Sequence, residues 1–340
     1  MEKITNEFIT NANTAISNAN KVVILTHKNP DGDALGSGLA MLHFFKSLQK
    51  EVTFIVPNQL PTNLFWMPGM AEILVYEENK EKGKETIANS ELIVMVDFNH
   101  PSRLSEAGNQ VMSQKAPKIL IDHHPNPEPI ADLIYSRVSS SSTAEMVFEF
   151  IQKTRGEDYI SRAVADCLFV GIMTDTGSFS YNSSEPHTYE VVGKLLSKGV
   201  NKDELTDKVY NNFSEQRLRL MGYAVNQRMI VLPEFQTAYI YLTKKDMEDY
   251  KHEPGDTEGF VNYPLSIRNI VFSAIFIEKD NYTKCSFRSK GNFPANLVSM
   301  DHFNGGGHKN AAGGESKMSI QASMEKFESI LPLYKHLLIQ

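Results

Sequence analysis

The segment KILIDHHPNP (118–127) runs an apolar stretch straight into Asp122, His123 and His124. Two other apolar runs end in the same manner: VVILTH (22–27) delivers His27, and LIVMVD (92–97) delivers Asp97. Beyond His27, the turn-forming NPDGD carries Asp31 and Asp33, and a hydrophobic stretch ends in Asp175. Each residue has a plain reading on its own. Asp33 could cap a helix, and Asp175 could close one. Gathered together, however, like charges destabilise one another unless a cation compensates. His27, Asp31, Asp33, Asp97, His123 and Asp175 form a candidate ligand set whose four carboxylates match the charge of two divalent ions. Mixed carboxylate and imidazole donors suit Mn2+, with Mg2+ or another divalent ion as the alternative. Two such ions can activate water and clamp a phosphoryl group for in-line displacement.

The elements that must position these residues are strands alternating with helices. VVILTH is followed by a helical pattern over 32–50, then VTFIVP, LIVMVD and KILID, and a helix from Thr143 to Lys153. That alternation predicts an α/β domain with a mostly parallel sheet flanked by helices. In such sheets, sites form outside the carboxyl ends of the strands. A buried helix is expected from Ala163 to Met173, and a helical, charged stretch from Glu190 to Arg228. From residue 229 the pattern changes to strands joined by turns and a final helix (318–335), a smaller α+β domain. The expected organisation is therefore 1–200, a helical linker over 201–228, and 229–340. The polar segment 244–260 reads as a solvated loop.

At 340 residues, two domains are expected. Hydrophobic residues make up 41% and charged residues 22%, the balance of a globular protein with a real core. A net charge of −7 argues against coating long nucleic acid, though not against a short anionic substrate. Cys167 and Cys285 form no disulfide framework, so a cytoplasmic protein is expected. No apolar run is long enough for a membrane span. The spacing of Ile4, Phe8, Ile9, Ala12 and Ile16 is that of a helix, not a signal peptide.

Two features of the second domain could meet an anion. FNGGGHKNAAGG (303–314) is not a P-loop, but Gly305, Gly306 and Gly307 would let backbone N–H groups approach a phosphate, with His308 and Lys309 beside them. Its plain reading is a flexible turn. Arg288 and Lys290 stand at strand spacing and would share one face, either solvated or clamping phosphate, with Arg288 favoured. In the first domain Arg103 and His100 could reach the site or lie on the surface.

Five motifs in order, THKNPDGDALGS, VDFNHPSRL, IDHHPN, GIMTDTGSF and FNGGGHKNAAGG, resemble those of the DHH phosphoesterase superfamily with its DHH-associated C-terminal domain. The likeness covers nearly the whole chain and is greatest to the bifunctional oligoribonuclease and 3′-phosphoadenosine 5′-phosphate (pAp) phosphatase branch. It implies that Asp97 bridges two ions, that His27 and Asp31 complete one site, and that Asp33, His123 and Asp175 complete the other. It implies that Asp122 orients its neighbours and that His124 lies near the scissile phosphate. Substrate contacts would come from Arg288, Gly305, Gly306, Gly307, His308 and Arg103. The implied activity is metal-dependent hydrolysis of short RNA, as a 3′–5′ exonuclease, and of pAp, by a monomer or homodimer. A cyclic or linear dinucleotide phosphodiesterase (c-di-AMP or pApA) is the alternative. RecJ-type exonucleases, pyrophosphate or polyphosphate hydrolases and a catalytically silent nucleotide-binding regulator are further rivals.

Overall fold

The apolar runs that end in Asp or His are strands of one parallel sheet. In the computed structural model, which describes residues 4–338, the first unit extends to Asn212 and the second begins at Phe213. The first unit contains α1 (Asn6–Asn18), β1 (Lys21–Leu25), α2 (Gly32–Ser47), β2 (Glu51–Val56), β3 (Leu74–Val75), α3 (Lys80–Ala88), β4 (Leu92–Val96), α4 (Ala107–Ser113), β5 (Lys118–Asp122), β6 (Leu133–Ser136), α5 (Thr143–Arg155), α6 (Arg162–Asp175), α7 (Pro186–Ser197) and α8 (Lys202–Tyr210). Its strands run in the order β3-β2-β1-β4-β5-β6, all parallel. Every residue of β4 and β5 is buried, as a sheet covered on both faces requires. One face packs against α1, α2, α5 and α6, the other against α3 and α4. The order reverses between β1 and β4, so connections leave these neighbours in opposite directions and open a crevice at their carboxyl ends.

Helices α2 and α6 approach too closely for side chains at their contact. A Cβ on Gly36 would lie 2.5 Å from the Cys167 carbonyl oxygen, and one on Gly32 would lie 2.3 Å from Thr174 Oγ1. This contact brings the N-terminus of α2 beside the C-terminus of α6, where Asp33 and Asp175 stand.

The second unit contains α9 (Glu215–Gln227), β7 (Met229–Leu232), β8 (Thr237–Leu242), α10 (Lys244–Asp249), β9 (Phe272–Glu278), β10 (Thr283–Ser289), α11 (Ala295–His302), β11 (Gly306–His308), β12 (Ala311–Ser316) and α12 (Ile320–Leu338). The sheet order is β11-β12-β10-β9-β8-β7, antiparallel except between β8 and β9. Phe276, Phe287 and Phe303 pack with Phe327 of α12 on one face. Ile240, Ile275 and Phe260 pack with Leu220 of α9 on the other.

Two expectations need correction. The linker over 201–228 is not one helix. The chain breaks at 211–214, where Ser214 caps α9 by accepting a hydrogen bond from the Arg217 N–H at 3.0 Å. α8 thereby falls in the first unit and α9 in the second. Segment 244–260 is a solvated loop only in its later part, where residues 251, 253–255 and 258 are exposed. It begins with α10, closed by a reciprocal cap between Thr243 and Asp246. Asp246 accepts from Arg228 at 2.9 and 3.0 Å and from the Tyr223 hydroxyl at 2.9 Å. The Arg217 guanidinium donates to the carbonyls of Asp256 and Glu258 at 2.8 and 2.9 Å. Asp246 and the backbone at 256 and 258 find partners within the fold, which composition does not reveal.

Candidate metal centre

The crevice at the ends of β1, β4 and β5 gathers the ionisable residues. His27 follows β1, Asp97 follows β4, and Asp122 and His123 close β5. Asp31 caps α2, its Oδ1 accepting the N–H groups of Asp33 and Ala34, both at 3.1 Å. Asp175 is the last residue of α6. His27, Asp33, Asp97, Asp122 and His123 are all buried. Donor atoms of His27, Asp31 and Asp97 lie within 4.8 Å of one another, as do those of Asp33, His123 and Asp175.

Asp97 stands between the two triads. Its Oδ2 is 3.4 Å from His27 Nε2, and its Oδ1 is 3.7 Å from His123 Nε2. Its backbone is left-handed, with φ +67°, a strained conformation for a residue with a side chain. On the far side, His123 Nε2 is 3.6 Å from Asp175 Oδ2 and 3.8 Å from Asp33 Oδ2.

The rings and carboxylates are held from behind. His27 Nδ1 is 2.8 Å from the Lys28 carbonyl oxygen, which accepts its proton and turns Nε2 inward. His123 Nδ1 meets the Ser140 carbonyl at 3.3 Å in the same way. Asp33 receives the Thr143 and Ala144 N–H groups at the start of α5, at 2.7 and 2.9 Å. Asp97 Oδ1 accepts from the Thr143 hydroxyl at 2.9 Å. His124 Nδ1 lies 2.8 Å from Asp122 Oδ1, so Asp122 fixes its tautomer. The sequence reading missed Thr143; its signal was the polar SSSST run before α5.

The electrostatics are those of a site short of positive charge. Burial and neighbouring Asp31 raise the Asp33 pKa to about 7. Burial and the Asp33 and Asp31 carboxylates push Asp97 well above the usual carboxylate range. Asp31 instead falls lower: burial opposes ionisation, but His27 and the Ala34 N–H outweigh it. Burial and Arg103 depress His27. Burial, His123 and Arg103 hold His124 well below the ordinary imidazole range, so both rings favour the neutral form that binds cations. Crowded oxygen donors whose charges repel, interleaved with neutral imidazoles, fit two divalent cations.

Arg103 thus acts electrostatically on His27, Asp31 and His124. His100 instead pairs with Glu128 at 2.9 Å on the surface. In the second unit, Arg288 lies opposite Ala311, and Ala311 lies opposite His308, so Arg288 and His308 share one sheet face. Gly306 lies opposite Gly313 on that face. Gly305 and Gly307 have a packing role: a Cβ would come within 2.0 Å of the Gly313 carbonyl at Gly305 and 2.5 Å of the Ala311 carbonyl at Gly307. Lys290 falls past the end of β10 and donates to the Leu265 carbonyl, so the pairing of Arg288 with Lys290 on one face is replaced by Arg288 with His308.

Comparison with known proteins matches residues 21–172 to the DHH family N-terminal domain and 235–338 to the DHHA1 domain. A crystal structure described as an exopolyphosphatase-related protein from Bacteroides fragilis is 41% identical, with a TM-score of 0.95 and full coverage of both chains. The bifunctional oligoribonuclease and PAP phosphatase NrnA of Bacillus subtilis is 24% identical over 88% of this chain and 90% of its own length. The cyclic-di-AMP phosphodiesterase GdpP of the same species is 27% identical over 94% of this chain but only 48% of its own length.

Proposed function

The chain belongs to the DHH phosphoesterase family and carries a DHHA1 domain, and on that premise we propose that it hydrolyses short RNA oligonucleotides from the 3′ end and also pAp. It is a hydrolase acting on phosphoester bonds. The observation that carries the reading is the placing of Asp97, whose two oxygens face histidines on opposite sides, 3.4 and 3.7 Å away. His27, Asp31 and Asp97 would hold one cation; Asp33, His123, Asp175 and Asp97 would hold the other. Manganese suits this donor set, with magnesium as the alternative. When bound, the two cations would supply Lewis acidity and lower the pKa of water for attack at phosphorus.

The chain's own residues do the rest. Asp122 fixes the His124 ring, which would contact the reacting phosphate, or give a proton to the leaving oxygen once the phosphate's negative charge had drawn a proton onto the ring. Arg103 would add positive charge for the phosphoryl oxygens. Arg288, His308 and the backbone around Gly305, Gly306 and Gly307 would bind a further phosphate of the substrate. Free, buried Cys167 and Cys285 fit a reducing cytoplasm. No helix among the described residues is long and apolar enough to cross a membrane.

A second reading, cleavage of cyclic or linear dinucleotides, is favoured by the likeness to GdpP over nearly all of this chain. The test is hydrolysis with added Mn2+ across a panel: pAp, RNA dimers to 24-mers, cyclic-di-AMP, pApA and polyphosphate. Mononucleotide release, fastest from the shortest RNA, together with pAp turnover, is the expected result. Cleavage confined to cyclic-di-AMP and pApA, or to polyphosphate, would overturn the oligoribonuclease reading.

A further inference from the structure

We propose that Glu145 is a positioning residue that sets one of the two cation sites and not the other, an inference that rests on the two-cation reading above. None of the hydrogen bonds described for Glu145 goes to a candidate ligand. It lies in the first turn of α5 and is 2% exposed. Its Oε2 accepts from the Ser141 hydroxyl at 2.5 Å and from the Thr188 hydroxyl of α7 at 2.7 Å. Its Oε1 accepts from Arg137 Nη2 at 3.3 Å, and its N–H donates to the α5 cap Ser142 at 3.1 Å. The carboxylate thus ties Ser141 of the segment 140–144 to Thr188 of α7 and to Arg137.

That segment serves one side of the centre. The Ser140 carbonyl faces His123, and the Thr143 and Ala144 N–H groups hold Asp33. The Thr143 hydroxyl holds Asp97 Oδ1, the oxygen on the His123 side. His27 and Asp31 are held by other means, the Lys28 carbonyl and the first N–H groups of α2. A shift of the segment would therefore bear on two ligands of one site, Asp33 and His123, and on the shared Asp97, while His27 and Asp31 keep their own supports.

Glu145→Gln replaces one acceptor oxygen by an NH2 group. Turned one way, the amide N–H meets the Arg137 guanidinium donor to donor; turned the other, both hydroxyls must change from donors to acceptors, and in either case the bonds lose the carboxylate charge that strengthens them. Groups behind metal ligands typically govern affinity by roughly 10- to 100-fold. The experiment is calorimetric titration of the chelator-treated full chain with Mn2+, paired with electron paramagnetic resonance of the same samples. The wild type should bind two ions and give the signature of a coupled manganese pair. Glu145→Gln should keep one ion near wild-type affinity, weaken the second by about 10- to 100-fold, and show an uncoupled spectrum at one equivalent. Ser141→Ala removes only the hydroxyl that Glu145 holds and should show the same asymmetry at smaller size. It decides the matter if Glu145→Gln does not fold. Two unchanged affinities, or two affinities weakened alike, would overturn the assignment. A wild type that binds fewer than two ions would overturn the two-cation reading on which it rests.

Discussion

Two buried polar clusters in the first unit bring acids and histidines equally close, yet differ in how charge is met. Donor atoms of Glu145, Glu149 and His187 lie within 4.8 Å of one another, just as in the triads around Asp97. In the Glu149 cluster, buried Arg137 donates to Glu149 at 2.5 and 3.1 Å, and the Tyr135 hydroxyl adds a bond at 2.6 Å. Burial opposes ionisation of Glu149, but the bonds from Arg137 and Tyr135 prevail and hold its pKa below the ordinary value. Around Asp97 no guanidinium sits between the carboxylates among the described hydrogen bonds, and burial with mutual repulsion drives Asp33 and Asp97 upward. Proximity of acid and imidazole therefore does not mark a cation site. What sets the proposed cation sites apart is carboxylate charge that burial and mutual repulsion push toward the protonated form.

Substitutions can break this comparison. Asp97→Asn should lower turnover by roughly 10³-fold or more, the several kcal/mol of a lost shared cation ligand. Asn tolerates the left-handed backbone, so urea unfolding of the metal-free protein should show an unchanged or raised midpoint. A marked loss of stability would mean that Asp97 is structural, like Glu149. Arg137→Met should do the opposite at the balanced cluster. It leaves buried carboxylates unpaired and should cost about 3–5 kcal/mol in urea unfolding, as broken buried ion pairs do. A variant as stable as the wild type would show that the guanidinium does not balance that cluster.

Arg288→Ala lies outside both clusters and sharpens the contrast between chemistry and recognition. Loss of a charge-assisted contact of about 1.5–3 kcal/mol should lower kcat/KM on RNA dimers by roughly 10- to 100-fold. Bis-p-nitrophenyl phosphate, a small generic diester, should be hardly affected. Equal losses on both would place Arg288 outside substrate binding. The smallest effect concerns pH. Asp33 keeps its proton in the fold up to about 7, whereas an unfolded carboxyl releases it near 3.9. Between those values the folded chain binds more protons, so stability of the metal-free protein falls as pH rises through that window. Its Tm should drop from pH 4.5 to 7, and saturating Mn2+ should abolish the drop. A metal-free Tm that rises over this range would contradict the uncompensated charge.

Much of this was legible in the sequence because period and position carry it. Continuous Val, Ile and Leu runs announced buried parallel strands, and their polar endings announced the crevice. Asp175 was legible because a hydrophobic helix ended on it. Glu145 and Arg137 were not, since nothing local distinguishes a buried, paired charge from a solvated one. The glycines of α2 were also opaque. Gly36 is required by the Cys167 carbonyl, 131 positions away in sequence, and such a contact exists only once both helices are placed. The break at 211–214 escaped notice because Asn211 and Ser214 sit in an otherwise helical, charged stretch.

The contact of α2 with the much later α6 also sets a timetable for biosynthesis. His27, Asp31 and Asp97 are all translated by residue 97, but Asp33 and His123 wait for Asp175. At roughly 5–20 residues per second, several seconds of elongation separate the two events. The residues of the first triad are thus all present in the growing chain before Thr143, which holds Asp97, is made. The second has all its residues only when α6 emerges and packs on α2, so a chain truncated in the α5–α6 connection lacks both Asp175 and the helix that seats the start of α2.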